Sequence, residues 1–126
     1  LRVVGVGIDI VDLAIFRKRL EAVEGLAEEI FLPSEIAYCA GRARPWESYA
    51  ARFAAKEAAF KALGRGLSHG LGWKQVEVSR EESGAAGLLL SGAALEAAGE
   101  LGADRFQLSM SHSGENAIAV VIALAE

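Results

Sequence analysis

Asp9 and Glu57 stand where a carboxylate is expensive. Asp9 interrupts an alternating apolar run of Val4, Val6, Ile8 and Ile10, and Glu57 lies beside the aromatic stripe of an alanine-rich segment. An ionised carboxylate costs free energy to bury without a partner. Two such groups on separate elements suit one Mg²⁺, which takes one or two acids and completes its shell with waters and substrate phosphates. The plainer alternative is local ion pairing: Lys61 follows Glu57 by four residues, the favourable order on a helix.

Three cations, Arg52, Lys56 and Lys61, share the segment that carries Glu57. Lys56 points near the aromatic stripe, where a purely structural helix would carry Leu. It either snorkels to water or meets an anionic ligand. The loop Gly64, Arg65, Gly66 can present backbone donors to a phosphate, although glycine-rich loops are often plain turns. No GxxxxGK[ST] is present, and no GxGxxG leads from a strand into a helix. His112 ends the face formed by Phe106, Leu108 and Met110, a position that suits a core histidine as well as a ligand. No GxSxG accompanies it, so serine hydrolase chemistry has no support. Cys39, among Ile36, Ala37 and Tyr38, reads as a buried reduced thiol, and His69 in the glycine loop as exposed.

These residues need a scaffold, and 126 residues supply one domain, 1–126, with one core. Hydrophobic residues make up 52% and charged residues 24%, a globular composition. The net charge of −4 argues against a nucleic-acid coat, which needs basic excess. The single cysteine excludes an internal disulfide framework and a CxxC metal site. No apolar run reaches the roughly 20 residues of a membrane span, and RVVGVGIDIVDL carries acid within its apolar stretch, unlike a signal peptide. The expectation is a soluble cytoplasmic protein that uses neither membrane nor nucleic acid.

Val4 to Ile10 reads as a strand whose other face carries Gly5, Gly7 and Asp9, leaving room for something to approach the backbone. Asp12 caps a helix with Leu13, Phe16, Leu20 and Val23 on one side. Pro33 fits the first turn of a second helix, and Gly41 and Pro45 bracket a loop holding Arg42 and Arg44. The strongest helix runs from about Trp46 to Leu63, with Tyr49, Phe53, Phe60 and Leu63 in a stripe and Gly64 as its stop. Val76 to Val78 and Gly87 to Leu90 read as strands separated by a polar turn, and Ala93 to Leu101 as a helix. Phe106 to His112 pairs through a turn at Ser113, Gly114 and Glu115 with a last strand that is apolar on both faces and expected to be buried on both. The fold class is α+β, a mainly antiparallel sheet packed against one long helix.

GIDIVDL at 7–13, RFAAKEAAFKALGRG at 52–66 and SHS at 111–113, in this order and in a chain of this length, resemble the small 4′-phosphopantetheinyl transferases of the holo-acyl-carrier-protein synthase type. WKQVEV and the closing hairpin extend the resemblance over nearly the whole chain. It implies Mg²⁺-dependent transfer of phosphopantetheine from coenzyme A to a serine of apo acyl carrier protein, with release of adenosine 3′,5′-bisphosphate, in fatty acid biosynthesis. It maps the metal ligands onto Asp9 and Glu57. Coenzyme A contacts map onto Arg52, Lys61 and His112, with Gly64 in the phosphate loop and Arg42 or Arg44 for the 3′-phosphate. Lys61 would neutralise the departing bisphosphate. The base for the serine is either Glu57 or a water oriented by Glu35. The resemblance also implies a homotrimer with its sites at subunit contacts.

Two departures bear on this mapping. The family's usual docking arginine falls in Ala14, Ile15, Phe16, which shifts carrier docking toward Arg17 or Arg19. Leu32 stands where a capping threonine is common. Other readings of the same groups are a Mg²⁺-dependent pyrophosphate hydrolase and a non-catalytic module that binds coenzyme A or carrier protein.

Overall fold

The closing segment becomes the middle of a sheet. In the computed structural model, which describes residues 1–80 and 83–126, strand β5 (Asn116–Ala125) lies between β1 (Arg2–Asp12) and β4 (Arg105–His112), antiparallel to both. Ala117, Ala119, Val121 and Ala123 are fully buried, and small side chains there let the sheet pack closely on helix α4 (Pro45–Leu63). Ile118, Val120 and Ile122 occupy the other face and are only half-buried. Their register partners on β1, Ile10, Ile8 and Val6, are 62%, 54% and 60% exposed. The apolar pattern of β5 predicts burial on both faces, but among the described residues of one protomer no layer covers the outer face.

Among the described residues α4 is the one long helix; of the shorter helices α1 (Leu13–Ala22), α2 (Leu26–Ile30), α3 (Pro33–Ala40) and α5 (Gly92–Leu101), α1, α3 and α5 pack on it. Ala50, Ala54, Ala55, Ala58 and Ala59 are all fully buried, so α4 is enclosed on several sides rather than along one stripe. Tyr49, Phe60 and Leu63 of the expected stripe are buried and Phe53 is half-buried. Gly64 stops the helix at φ 73°, a left-handed conformation that glycine adopts without penalty. Asp12 caps α1 as expected, its Oδ1 accepting the Ile15 N–H at 3.0 Å. Leu13 and Phe16 are buried, but Val23 follows the helix and is 47% exposed.

The second half departs from a single sheet. β2 (Val76–Arg80) and β3 (Ala86–Leu90) form a separate antiparallel pair beside β4. The polar turn expected before β3 includes Glu81 and Glu82, which lie outside the described residues.

One ion pair ties these layers together. Lys56 of α4 and Glu35 of α3 are both fully enclosed, with Nζ 2.8 Å from Oε1. Lys56 also donates to the carbonyls of Trp73 at 3.1 Å and Val76 at 2.6 Å. Glu35 accepts the backbone N–H of Leu32 and of Val78, each at 2.8 Å. The Leu32 contact is the half of a capping box that Glu35 can supply, while the half that needs an N-cap side-chain oxygen is missing at Leu32. Burial is the main cause that lowers the Lys56 pKa, and the Glu35 hydrogen bond opposes it. Cys39 is fully buried as expected, and burial pushes its thiol up to about 11.

Candidate active site

Asp9 reaches Glu57 because β1 lies directly on α4. A Cβ on Gly5 would stand 2.0 Å from the Ala62 carbonyl oxygen, and one on Gly7 would stand 1.8 Å from that of Ala58. The space beside these glycines is therefore filled by the chain's own helix. Asp9 is the next residue on that face of β1, and Glu57 and Lys61 are one turn apart on α4. Lys61 Nζ donates to Asp9 Oδ1 at 3.0 Å and to the Ile8 carbonyl at 3.0 Å. The lysine thus hydrogen-bonds across to β1, where helical spacing had suggested Glu57 as its partner.

Burial first, and the negative charge of Asp9 second, hold the Glu57 carboxyl above its ordinary range. Two acids that repel across a cleft form a donor set that a hard cation would relieve. Among the described residues no group of three or more His, Cys, Asp or Glu could hold a metal. The pair therefore fits Mg²⁺, which keeps waters and substrate oxygens in its shell, and does not fit a closed zinc site. On one side of Glu57 a cleft of about 340 Å³ is lined by Asp9, Asp12, Phe16, Arg19 and Phe53. On the other, a cleft of about 280 Å³ is lined by Lys61, Gly64, Gly66, Ser68 and an exposed His69.

The remaining expected residues gather elsewhere. Arg42, Arg52 and His112 line a third cleft of about 500 Å³, together with Tyr38, Arg80 and Glu47. Arg52 is 2% exposed, with its guanidinium 4.3 Å from the centre of the Tyr38 ring. Arg42 and Arg80 approach the same ring at 5.3 and 5.2 Å. Arg52 Nη1 donates to the Ser48 carbonyl at 3.4 Å, while Nη2 is buried with no hydrogen-bond partner among the described residues. A buried guanidinium donor without an acceptor is costly, and an anionic ligand would satisfy it. His112 is half exposed, its Nδ1 3.9 Å from Glu47 Oε2. Arg44 pairs at 3.7 Å with Glu47, a lining residue, but does not itself line the cleft, whereas Arg42 does.

Within one protomer, then, Asp9, Glu57, Lys61 and Gly64 come together, and Arg42, Arg52 and His112 come together. No described residue lines both groups of clefts. Glu35 lines neither cleft beside Glu57, and at 1% exposure both its carboxylate oxygens are engaged inside the protein. Lys56 neither snorkels nor meets a ligand, because Glu35 and two carbonyls consume its donors. Tyr38, Arg80 and Trp73 were not singled out from sequence. Only Arg80, a charge at the end of an alternating strand, carried a local signal.

An α+β fold that sets a carboxylate pair beside a lysine, and apart from it a guanidinium cleft, is one built to handle anionic phosphate groups. The chain belongs to the 4′-phosphopantetheinyl transferase superfamily, whose family model matches residues 5–121. A relative from Geobacter sulfurreducens is 47% identical over 121 residues, covering 94% of both chains, and is named holo-acyl-carrier-protein synthase. The chain is thus an enzyme of the transferase class. Its fold matches the Helicobacter pylori holo-acyl-carrier-protein synthase solved with coenzyme A, with a TM-score of 0.82 and 32% identity over 94% of this chain and 99% of that one. The Bacillus anthracis synthase, solved in complex with coenzyme A (3′,5′-ADP), matches with a TM-score of 0.81 and 32% identity over 98% of both chains. Among the described residues no helix is long and apolar enough to cross a membrane.

Proposed function

We propose that this enzyme transfers the 4′-phosphopantetheine of coenzyme A to a serine of apo acyl carrier protein, releasing adenosine 3′,5′-bisphosphate, with Mg²⁺ held by Asp9 and Glu57. The observation that carries the reading is the convergence of Asp9 from β1 and Glu57 from α4 beside Lys61, within the segments that match the family. Bound there, Mg²⁺ would supply charge neutralisation for the pyrophosphate.

Phosphoryl transfer needs mainly positioning and charge stabilisation, and the chain's own residues divide that work. Lys61 carries a half-exposed cation beside Asp9, placed to neutralise negative charge on the leaving bisphosphate. Arg52 offers a buried donor fixed in direction by the Tyr38 ring, which suits a phosphate better than water. Arg42 and His112 flank it at the surface. With both Glu35 oxygens engaged inside the protein, Glu57 is the carboxylate at the cleft assigned to take the serine proton.

The working unit in this reading is a homotrimer. Two observations favour a partner copy: the exposed apolar face of β1, and the separation of the anion-binding residues into clefts that one protomer does not join. Closed symmetric assemblies bury such faces, and they can complete a site from two subunits. The enzyme would then load carriers for fatty acid biosynthesis in the cytoplasm.

The test is to incubate the protein with coenzyme A, Mg²⁺ and apo carrier protein, then weigh the carrier. A gain of one phosphopantetheine mass is the expected result. Bisphosphate release with no carrier gain would replace transfer by hydrolysis, and absence of both would reduce the protein to a binding module.

A further inference from the structure

Tyr38 gathers charge of one sign. The guanidinium carbons of Arg52, Arg80 and Arg42 lie 4.3, 5.2 and 5.3 Å from the centre of its ring. They arrive from separate elements: Arg42 from the loop after α3, Arg52 from α4 and Arg80 from the end of β2. A ring attracts each guanidinium weakly, while like charges held this close repel. Among the described residues none of the three arginines forms an ion pair with a carboxylate. The acids nearby are committed elsewhere. Glu47 faces Arg44 at 3.7 Å and His112 at 3.9 Å, Glu35 is bound by Lys56, and Glu77 Oε2 accepts from Ser34 Oγ at 3.3 Å.

The cations are also held in place. Arg52 is enclosed, with Nη2 buried and unpartnered. Arg80 is exposed, but its Nη1 donates to the Gly84 carbonyl at 2.7 Å, which keeps its side chain beside the ring. All three arginines and Tyr38 line the cleft of about 500 Å³. A phosphate monoester carries nearly two negative charges on three terminal oxygens, and guanidinium forks match such oxygens in pairs. Each phosphate of a pyrophosphate bridge carries a single charge and calls for fewer cations. The one monoester of coenzyme A is on its ribose.

We propose that Tyr38 is the positioning residue, and Arg80 a third cation, of a clamp for the phosphate monoester of coenzyme A: the ring spaces Arg42, Arg52 and Arg80 around one dianion and so sets a preference for donors that carry it. This rests on the reading of coenzyme A as the donor. It adds to the residues already assigned to the coenzyme a side chain that makes no ionic contact itself and a cation from the far side of the ring.

The experiment compares coenzyme A with dephospho-coenzyme A, which lacks that phosphate alone, as donors for the intact enzyme with Mg²⁺ and apo carrier protein. The ratio of kcat/KM for the two donors should favour coenzyme A, and it should fall about tenfold in Arg80→Gln and in Tyr38→Leu, the loss of one charge-assisted contact. Tyr38→Phe keeps the ring and should hold the ratio within about twofold of the parent. A merely structural role would lower both donors together and leave the ratio unmoved, and that result would overturn the proposal. So would a parent enzyme that uses both donors equally. Arg80 is exposed, so Arg80→Gln keeps the ratio measurable if Tyr38→Leu folds poorly. Transfer from neither donor by the unsubstituted protein would overturn the transferase reading instead. The clamp is then judged by calorimetry with adenosine 3′,5′-bisphosphate: Arg80→Gln should raise its dissociation constant about tenfold, and a constant equal to the parent's would overturn the clamp.

Discussion

Gly7 and Ala58 are in backbone contact: a methyl group on the Gly7 Cα would lie 1.8 Å from the Ala58 carbonyl oxygen. This contact sets the depth at which β1 lies on α4, and with it the separation of Asp9 from Glu57. Gly7→Ala must push strand and helix apart, since the obstructing atoms are backbone. The expected cost is about 3 kcal/mol or more, at the upper end for overpacking, with turnover falling further than stability because the acid pair is displaced. Gly99→Ala is the control. Gly99 lies within α5 with open space where the added methyl group would stand, so that change should stabilise by up to about 1 kcal/mol. Urea midpoints measured side by side check the opposite signs.

The buried ion pair makes a second prediction. Lys56→Met leaves the Glu35 carboxylate enclosed without its cation, which should cost about 3–5 kcal/mol. Glu35→Gln with Lys56→Met should cost clearly less than the two single changes added together, because neither charge is then stranded. A double-mutant cycle in urea measures the coupling. Additive costs would mean that the pair acts as two independent residues.

Glu57 works against the metal-free fold. Its folded pKa lies above the ordinary glutamate value, so the native state holds its proton more tightly than the unfolded state does. Its contribution to stability is therefore lost as pH rises from the unfolded pKa through the folded one. Glu57→Gln should raise the Tm of the metal-free protein at neutral pH and flatten that part of the pH profile, while turnover is lost. In the parent protein, Mn²⁺ affinity should begin to fall on acidification at a higher pH than an ordinary glutamate would give. Calorimetric melts and Mn²⁺ titrations across pH 4 to 8, a span of roughly four units around the carboxylate range, check both.

Carrier docking should depend on the first basic helix. Arg19 lines the cleft that holds Asp9 and Glu57, whereas Arg17 is tied to Glu21 at 3.1 Å and lies over Trp46 at 3.7 Å. The resemblance to the synthase family implies an acidic carrier, and since this chain carries a net charge of −4, attraction for it must come from a local patch. Arg19→Glu should raise the carrier KM more than Arg17→Glu does, with the coenzyme A KM nearly unchanged. The effect should shrink as salt screens charges over about 8 Å at physiological strength. Paired kinetics at low and high salt decide it, and equal KM values for both substrates in all variants would exclude the patch.

Local signals in the sequence are reliable where one element answers to its own pattern. Asp12 as a cap, Gly64 as a stop and the alternation of β5 are legible because each depends on residues a few positions apart. Glu35 and Lys56 are 21 residues apart, and nothing in either neighbourhood announces the partner. The same limit hides what fills the space beside Gly5 and Gly7. The strand pattern shows that side chains are absent there, but only the tertiary fold brings α4 against them.

The division of the binding residues between two regions makes the sharpest prediction about assembly. Asp9 and Glu57 line one cleft and Arg42 and His112 another, and the outer face of β1 is open to a neighbour. If each working site takes its carboxylates from one subunit and its cations from the next, two inactive variants can repair each other. Asp9→Asn removes one half and the pair Arg42→Ala with His112→Ala removes the other. None of the three side chains is buried in the core, so the variants should fold. Random reassembly of an equal mixture gives each subunit contact a chance of about one quarter of joining two intact halves, so about a quarter of parental activity should return in a cyclic trimer. Mixing without reassembly should return none, which controls for simple addition of residual rates. Activity that stays at the mean of the two variants after subunit exchange, verified by mass spectrometry of the mixed oligomers, would place each complete site within a single chain.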